Sequence, residues 1–117
     1  MSVKPTDENW IVEHLDYVRE AAVGTKPVVL DLGCGPGIDS RYLSSVGSVV
    51  SADLDASALR RCREHSPSSG LIQLDISQPL PFKDAAFQFL LSSLSLHYFS
   101  WSTTELVVGE SRRCLIP

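Results

Sequence analysis

Apolar positions along this chain recur at two periods, and the period switches several times. Residues 9–23, "NWIVEHLDYVREAAV", place Trp10, Ile11, Leu15, Val18 and Ala22 at helical spacing, and Gly24 closes the segment, which predicts a first helix. "PVVLDLG" follows as a short strand whose apolar run does not alternate, the pattern of a parallel strand covered on both faces. "IDSRYLSSV" predicts a short helix stopped by Gly47, and "SVVSAD" a second strand. "DASALRRCREH" predicts a helix with Asp55 as N-cap and Pro67 just beyond its end. "GLIQLD" reads as a third strand, "SQPLPFKDAA" as a Pro-rich loop and "FQFLLSS" as a fourth strand. "STTE", Ser102 to Glu105, matches a capping box that opens a last helix running to about Leu115, with Gly109 weakening its middle. Strand and helix alternate four times, which predicts an α/β, Rossmann-like fold: a mostly parallel sheet with flanking helices and right-handed crossovers, in one domain over residues 1–117.

This alternation gives three aspartates a shared location. Asp31, Asp53 and Asp75 each end a predicted strand, and each stands 22 residues from the next, about one strand–helix unit. All three project at the carboxyl edge of the sheet, where α/β folds bind ligands. Between Asp31 and the next helix lies "GCGPG". Gly33, Gly35 and Gly37 permit a tight turn and a close approach of ligand to backbone. Free N–H groups at the helix start would favour a negatively charged group. Asp53, twenty residues after Gly33, is placed to accept hydrogen bonds from two ribose hydroxyls, so the loop suits an adenosine-type cofactor. The spacing is G-x-G-x-G, where a dinucleotide fingerprint is G-x-G-x-x-G. Asp31, immediately before the loop, would sit badly beside a pyrophosphate. It suits a ligand carrying an ammonium or a sulfonium, as S-adenosylmethionine does.

Composition narrows the class further. The chain has 117 residues, 44% of them apolar and 21% charged, with net charge −4. The basic cluster Arg60, Arg61 and Arg63 reads as a solvated helix face, so a nucleic-acid partner is not expected. Cys34, Cys62 and Cys114 are odd in number and widely spaced, which suggests neither a disulfide framework nor a metal site and fits a reducing compartment. Cys34 reads as a small residue suited to a tight turn. The polar start "MSVKPTDEN" lacks the apolar core of a signal peptide, and the most apolar stretch, 87–99, is too short to span a bilayer. A cytoplasmic protein with no membrane partner is the expectation. His14 and His65 fall on predicted helix surfaces and receive no role, while Trp10, Tyr17 and Trp101 read as packing residues.

"VVLDLGCGPG" resembles motif I of the class I S-adenosylmethionine-dependent methyltransferases, and "VVSADLDASAL" their strand 2 and acidic loop. "LDISQPLPFKDAAFQFLLSSLSLHYF" is similar to their stretch from the strand 3 acid through strand 4, and "ESRRCLIP" to the helix end before strand 5. The resemblance spans about residues 26–117, and it implies a role for each matching position. Asp31 and the loop of Gly33, Cys34, Gly35 and Gly37 would hold the methionine moiety. Asp53 would bind the ribose, and Leu54 would pack on the adenine. Asp75 would accept from the adenine amino group, and the Ile76 backbone N–H would reach a ring nitrogen. Ser92 and Ser93 would lie near the transferable methyl, with His97 and Tyr98 facing the acceptor. His97 is the candidate general base by position; a structural histidine at a strand end is the plainer alternative. The implied reaction is in-line attack by an N, O, S or C atom on the methyl of the sulfonium, driven mostly by alignment.

Two departures from the family pattern matter. Gln88 stands where an acid is common. The family's sheet has seven strands, whereas this chain lacks the last three, leaving strand 4 as an apolar edge open to aggregation. A fragment, or a chain completed by self-association or by a partner over strand 4, is therefore expected. A catalytically inactive binding module is the alternative to an active enzyme acting on an unidentified small-molecule or protein acceptor. A nicotinamide enzyme would need the longer glycine spacing. A phosphorylated receiver domain would need paired acids after strand 1 and a lysine after strand 5, and this sequence has neither.

Overall fold

The structure is a computed structural model and describes residues 10–92 and 99–117. Four parallel strands form one sheet in the order β3-β2-β1-β4: β1 is Val28–Leu32, β2 Ser48–Asp53, β3 Gly70–Gln73 and β4 Phe89–Ser92. A 3-10 turn over Trp10–His14 leads into α1, Leu15–Arg19; α2 is Ile38–Leu43, α3 Ala56–His65 and α4 Trp101–Cys114. Strand order runs outward from β1 to β3, then returns to the other side of β1 for β4. The direction reverses between β1 and β4, and a reversal of this kind opens a crevice at the carboxyl ends of the strands.

Both faces of the sheet are covered, which is why the strands read as apolar runs without alternation. Leu30, Leu32 and Ala52 face a core closed by Leu74, Leu80, Phe87, Val107 and Cys114, that is, by the loop crossing from β3 to β4 and by α4. Val29, Val49 and Leu91 face the opposite way, against Ile11, Val18, Leu43 and Val46 of the 3-10 turn, α1 and the α2 region. Arg113 ties the crossing loop to α4: its guanidinium donates to the carbonyls of Leu80 and Phe82, to Glu110 and to Asp84. Glu110 accepts in turn from the Leu80 N–H.

Several predicted boundaries move. The expected helix over residues 9–23 is a 3-10 turn and a short α1 ending at Arg19. Ile11 and Val18 are fully buried and anchor it. Beyond Arg19, Val23 is 98% exposed and adds none of the packing that sustains a short helix. The capping box at Ser102 does not form. Ser100 is the N-cap instead, its Oγ accepting from the Thr103 N–H at 3.2 Å, so α4 starts at Trp101. β3 stops at Gln73, two residues before Asp75. β4 covers Phe89–Ser92, while Phe87 pairs in parallel with Leu115.

As expected from the missing strands, β4 is a sheet edge. Beside it runs an open groove of about 560 Å³, lined by Tyr17, Glu20, Ala21, Gln88, Phe89, Leu90 and Leu115. The Gln88 side-chain oxygen accepts from the Val28 N–H and pins the start of β4 to β1. Among the described residues no helix is long and apolar enough to cross a membrane.

Candidate functional site

Asp31 occupies the fourth position of β1, not its end, and points to the α2 side of the sheet. It is fully buried. Its Oδ2 accepts from Ser40 Oγ of α2 at 2.6 Å, and Ser40 Oγ lies 2.6 Å from Ser51 Oγ on β2, the register neighbour of Asp31. Its Oδ1 has no hydrogen-bond partner among the described residues. Burial raises its pKa to about 6; the Ser40 hydrogen bond works against that rise, and the nearby Asp39 and Asp53 charges add to it. Asp39 repeats the pattern in milder form, with an unpartnered Oδ1 and a carboxyl raised by burial.

The glycine loop takes the left-handed conformations its composition foretells: φ is +78° at Gly33, +54° at Gly35 and +89° at Gly37. Its N–H groups, however, are not the free anion cradle expected. Gly33 and Cys34 both donate to the Ala52 carbonyl, at 2.8 and 2.9 Å. Gly35 donates to Asp53 Oδ2 at 2.9 Å, and Gly37 closes a turn onto the Cys34 carbonyl at 3.1 Å. α2 is also only six residues long, too short for a developed dipole. What the loop presents instead is a rim of carboxylates, Asp31, Asp39 and Asp53, which favours positive charge.

Asp53 ends β2 as expected. Besides Gly35 it accepts from the Asp55 N–H at 2.9 Å through Oδ1, so each oxygen carries one bond and keeps a lone pair for another donor. Leu54 is 63% exposed beside it, its carbonyl held by Gln73 Nε2. Asp75 folds into a turn, its Oδ1 accepting from both the N–H and the Oγ of Ser77, bonds that lower its pKa. Gly33, Asp53, Leu54, Leu74, Asp75 and Ile76 surround one cavity of about 130 Å³. Phe99 completes its wall. Sequence reading missed Phe99, because nothing in the local pattern ties a residue after β4 to a pocket beside β2. Larger cavities exist at the β4 edge and beside the chain's last residues, each lined by one exposed carboxylate, Glu20 and Asp84 respectively.

Ser92 ends β4 exposed, in register with Leu32 and hence at the same sheet edge. Ser93, His97 and Tyr98 lie outside the described residues. Cys34 is buried against Leu59 and Cys62, and burial, then its neighbour Cys62, push its thiol far above the usual range, so it is an inert packing group. Among the described residues no cluster of His, Cys, Asp and Glu has the geometry of a metal site.

The fold and its carboxylate-rimmed glycine loop define an α/β domain with an acid-lined cavity at the carboxyl ends of its strands. The methyltransferase-domain family model matches residues 30–117. Human mitochondrial arginine-hydroxylase NDUFAF5 is 31% identical over 115 residues, covering 82% of this chain and 33% of that protein. An uncharacterized methyltransferase of Synechocystis, sll0829, is 30% identical over 101 residues, covering 86% and 47%. The S-adenosylmethionine-dependent methyltransferase of Mesorhizobium loti superposes with a TM-score of 0.68 at 26% identity, covering 89% of this chain and 49% of that structure. The chain belongs to the methyltransferase-domain family, and the cofactor named for the Mesorhizobium loti protein is S-adenosylmethionine. The chain spans between a third and a half of the length of these relatives.

The residues present fit that cofactor. Asp31 Oδ1 offers a buried, unpartnered acceptor beside the loop, and among the described residues the cavity is lined by acceptors and apolar groups without a basic side chain that a phosphate would need.

Proposed function

We propose that this chain is the cofactor-binding part of a methyltransferase that transfers a methyl group to a small-molecule or protein acceptor. The observation that carries this reading is the buried Asp31 carboxyl with its free Oδ1, next to a glycine loop whose own N–H groups are satisfied. A buried carboxylate oxygen without a partner is costly unless a ligand completes it, and a primary ammonium is a matching donor.

The roles follow from the acceptors available. Asp31 and the Gly33–Gly37 loop hold the amino-acid end. Asp53 takes the ribose hydroxyls on its remaining lone pairs. Leu54, Ile76 and Phe99 close on the adenine, and Asp75 accepts from its amino group. When bound, the cofactor supplies an electrophilic methyl on a sulfonium; the chain's part is to hold that centre at the switch point, near Ser92, where an acceptor can align with it. His97 stays the candidate general base by its position after β4.

A second reading rests on the relatives' names, because the NDUFAF5 proteins are called arginine-hydroxylases rather than methyltransferases. A third keeps the fold as a binding module without catalysis. The test is a calorimetric titration with S-adenosylmethionine and S-adenosylhomocysteine, repeated on Asp53→Ala, followed by mass spectrometry of candidate acceptors. Saturable binding lost in Asp53→Ala, with an acceptor gaining the mass of one methylene, is the expected outcome. A gain of one oxygen favours hydroxylation. Binding without any transfer favours the module, and a folded chain that binds neither ligand defeats the proposal.

A further inference from the structure

The glycine loop is gripped from two sides. From β2, the Ala52 carbonyl and the Asp53 carboxylate take the N–H groups of Gly33, Cys34 and Gly35. That grip stops at Gly35, because Pro36 has no N–H to offer. The second half of the loop rests on α3. A Cβ on Gly37 would stand 2.6 Å from Cys62 Sγ and 2.8 Å from Cys62 Cα, so Gly37 lies directly on the helix. Cys34 packs with Leu59 and Cys62 of the same helix face. One turn beyond Cys62, at the last residue of α3, His65 Nδ1 lies 2.8 Å from the Pro36 carbonyl oxygen. A carbonyl only accepts, so Nδ1 carries the hydrogen and donates.

We infer that His65, which the sequence left without a role, is a positioning residue for the cofactor loop. It does not line the adenosine cavity. It acts on the peptide joining Pro36 to Gly37, between two left-handed glycines where the backbone has the most freedom to lose. In a trans peptide the C=O and N–H point opposite ways. Holding the carbonyl on α3 therefore keeps the Gly37 N–H turned inward onto Cys34, and the loop keeps one shape before any ligand arrives. A loop ordered in advance spends less of its binding free energy on ordering, so the benefit appears as affinity. This inference rests on the S-adenosylmethionine site proposed above.

The experiment compares the 117-residue chain with His65→Leu and His65→Asn. S-adenosylhomocysteine is titrated by calorimetry, melting temperature is recorded, and amide hydrogen exchange at Gly37 is followed by NMR without ligand. Losing one hydrogen bond of ordinary strength predicts that His65→Leu weakens binding about fivefold. It is also expected to speed Gly37 exchange while leaving the melting temperature nearly unchanged. The asparagine amide can stand where Nδ1 stands, so His65→Asn is expected to restore both affinity and protection. Unchanged affinity and exchange in His65→Leu overturn the inference. So does a loss of affinity that tracks a fall in melting temperature and is not rescued by asparagine, which marks a merely structural residue. If the parent chain binds no S-adenosylhomocysteine, the cofactor reading fails, and the exchange comparison still decides whether His65 holds the loop.

Discussion

Asp31 is the residue on which stability and function pull in opposite directions. Its pKa is about 6 in the fold against 3.8 for a free side chain, so the folded chain holds a proton that the unfolded chain has released. Between those values the native state binds more protons, and stability falls as pH rises, levelling off above about 6. By that linkage the ionised carboxylate costs on the order of 3 kcal/mol at neutral pH. Asp31→Asn is therefore expected to raise the urea midpoint at pH 7 and to flatten the pH dependence of stability from 4 to 6, while abolishing S-adenosylmethionine binding. A less stable Asp31→Asn chain would contradict this account. Cofactor affinity in the parent chain should decline below about pH 6, where Asp31 takes up its proton and can no longer pair with an ammonium. Titrations at pH 5 and 7.5 check the direction. Two loop glycines make a second pair. Gly35 (φ +54°) has open space at its Cβ position, so Gly35→Ala should lose about 1 kcal/mol for the left-handed backbone alone. Gly37→Ala adds a collision with Cys62 backbone and should lose roughly 3 kcal/mol or more, read by chemical denaturation.

At the scale of elements, α4 tests how a helix start is chosen. The capping box at Ser102 was legible, yet Ser100 caps the helix. The two candidates lie two residues apart, and local propensity barely separates them. The packing of Val107 and Cys114 into the core and the Arg113 clamp on the crossing loop set the helix phase. Ser100→Ala should then destabilise the chain by about 1 kcal/mol and Ser102→Ala by much less, a difference thermal melts resolve. A larger loss in Ser102→Ala would reinstate the capping box. α3 carries more than the amphipathic pattern disclosed. Its buried face is Ala58, Leu59 and Cys62, and its hold on the glycine loop was not legible, because residues 25 and more apart in sequence meet only after folding.

For the whole molecule, the open β4 edge is the feature expected to govern behaviour in solution. Among the described residues its backbone pairs on the outer side only through the Phe87–Leu115 bridge, and half-buried Phe89 and Leu90 flank the groove. Sedimentation velocity across a concentration series should show association of the 117-residue chain, and Leu90→Lys should suppress it. A chain that stays monomeric throughout would mean the edge is adequately protected as it stands.

The sequence alone determined the α/β class, the parallel strands, the glycine loop and the place of Asp53 at the end of its strand. Those features follow from period, backbone freedom and spacing, which are local properties written over a few residues. Tertiary structure decided the rest. It shortened α1, moved the cap of α4 and left Asp75 beyond its strand. It satisfied the loop N–H groups that looked free, added Phe99 to the cavity and brought His65 to Pro36. Each of these depends on which surfaces are left to bury and which acceptors lie across a gap in the folded chain, and sequence spacing carries no record of either.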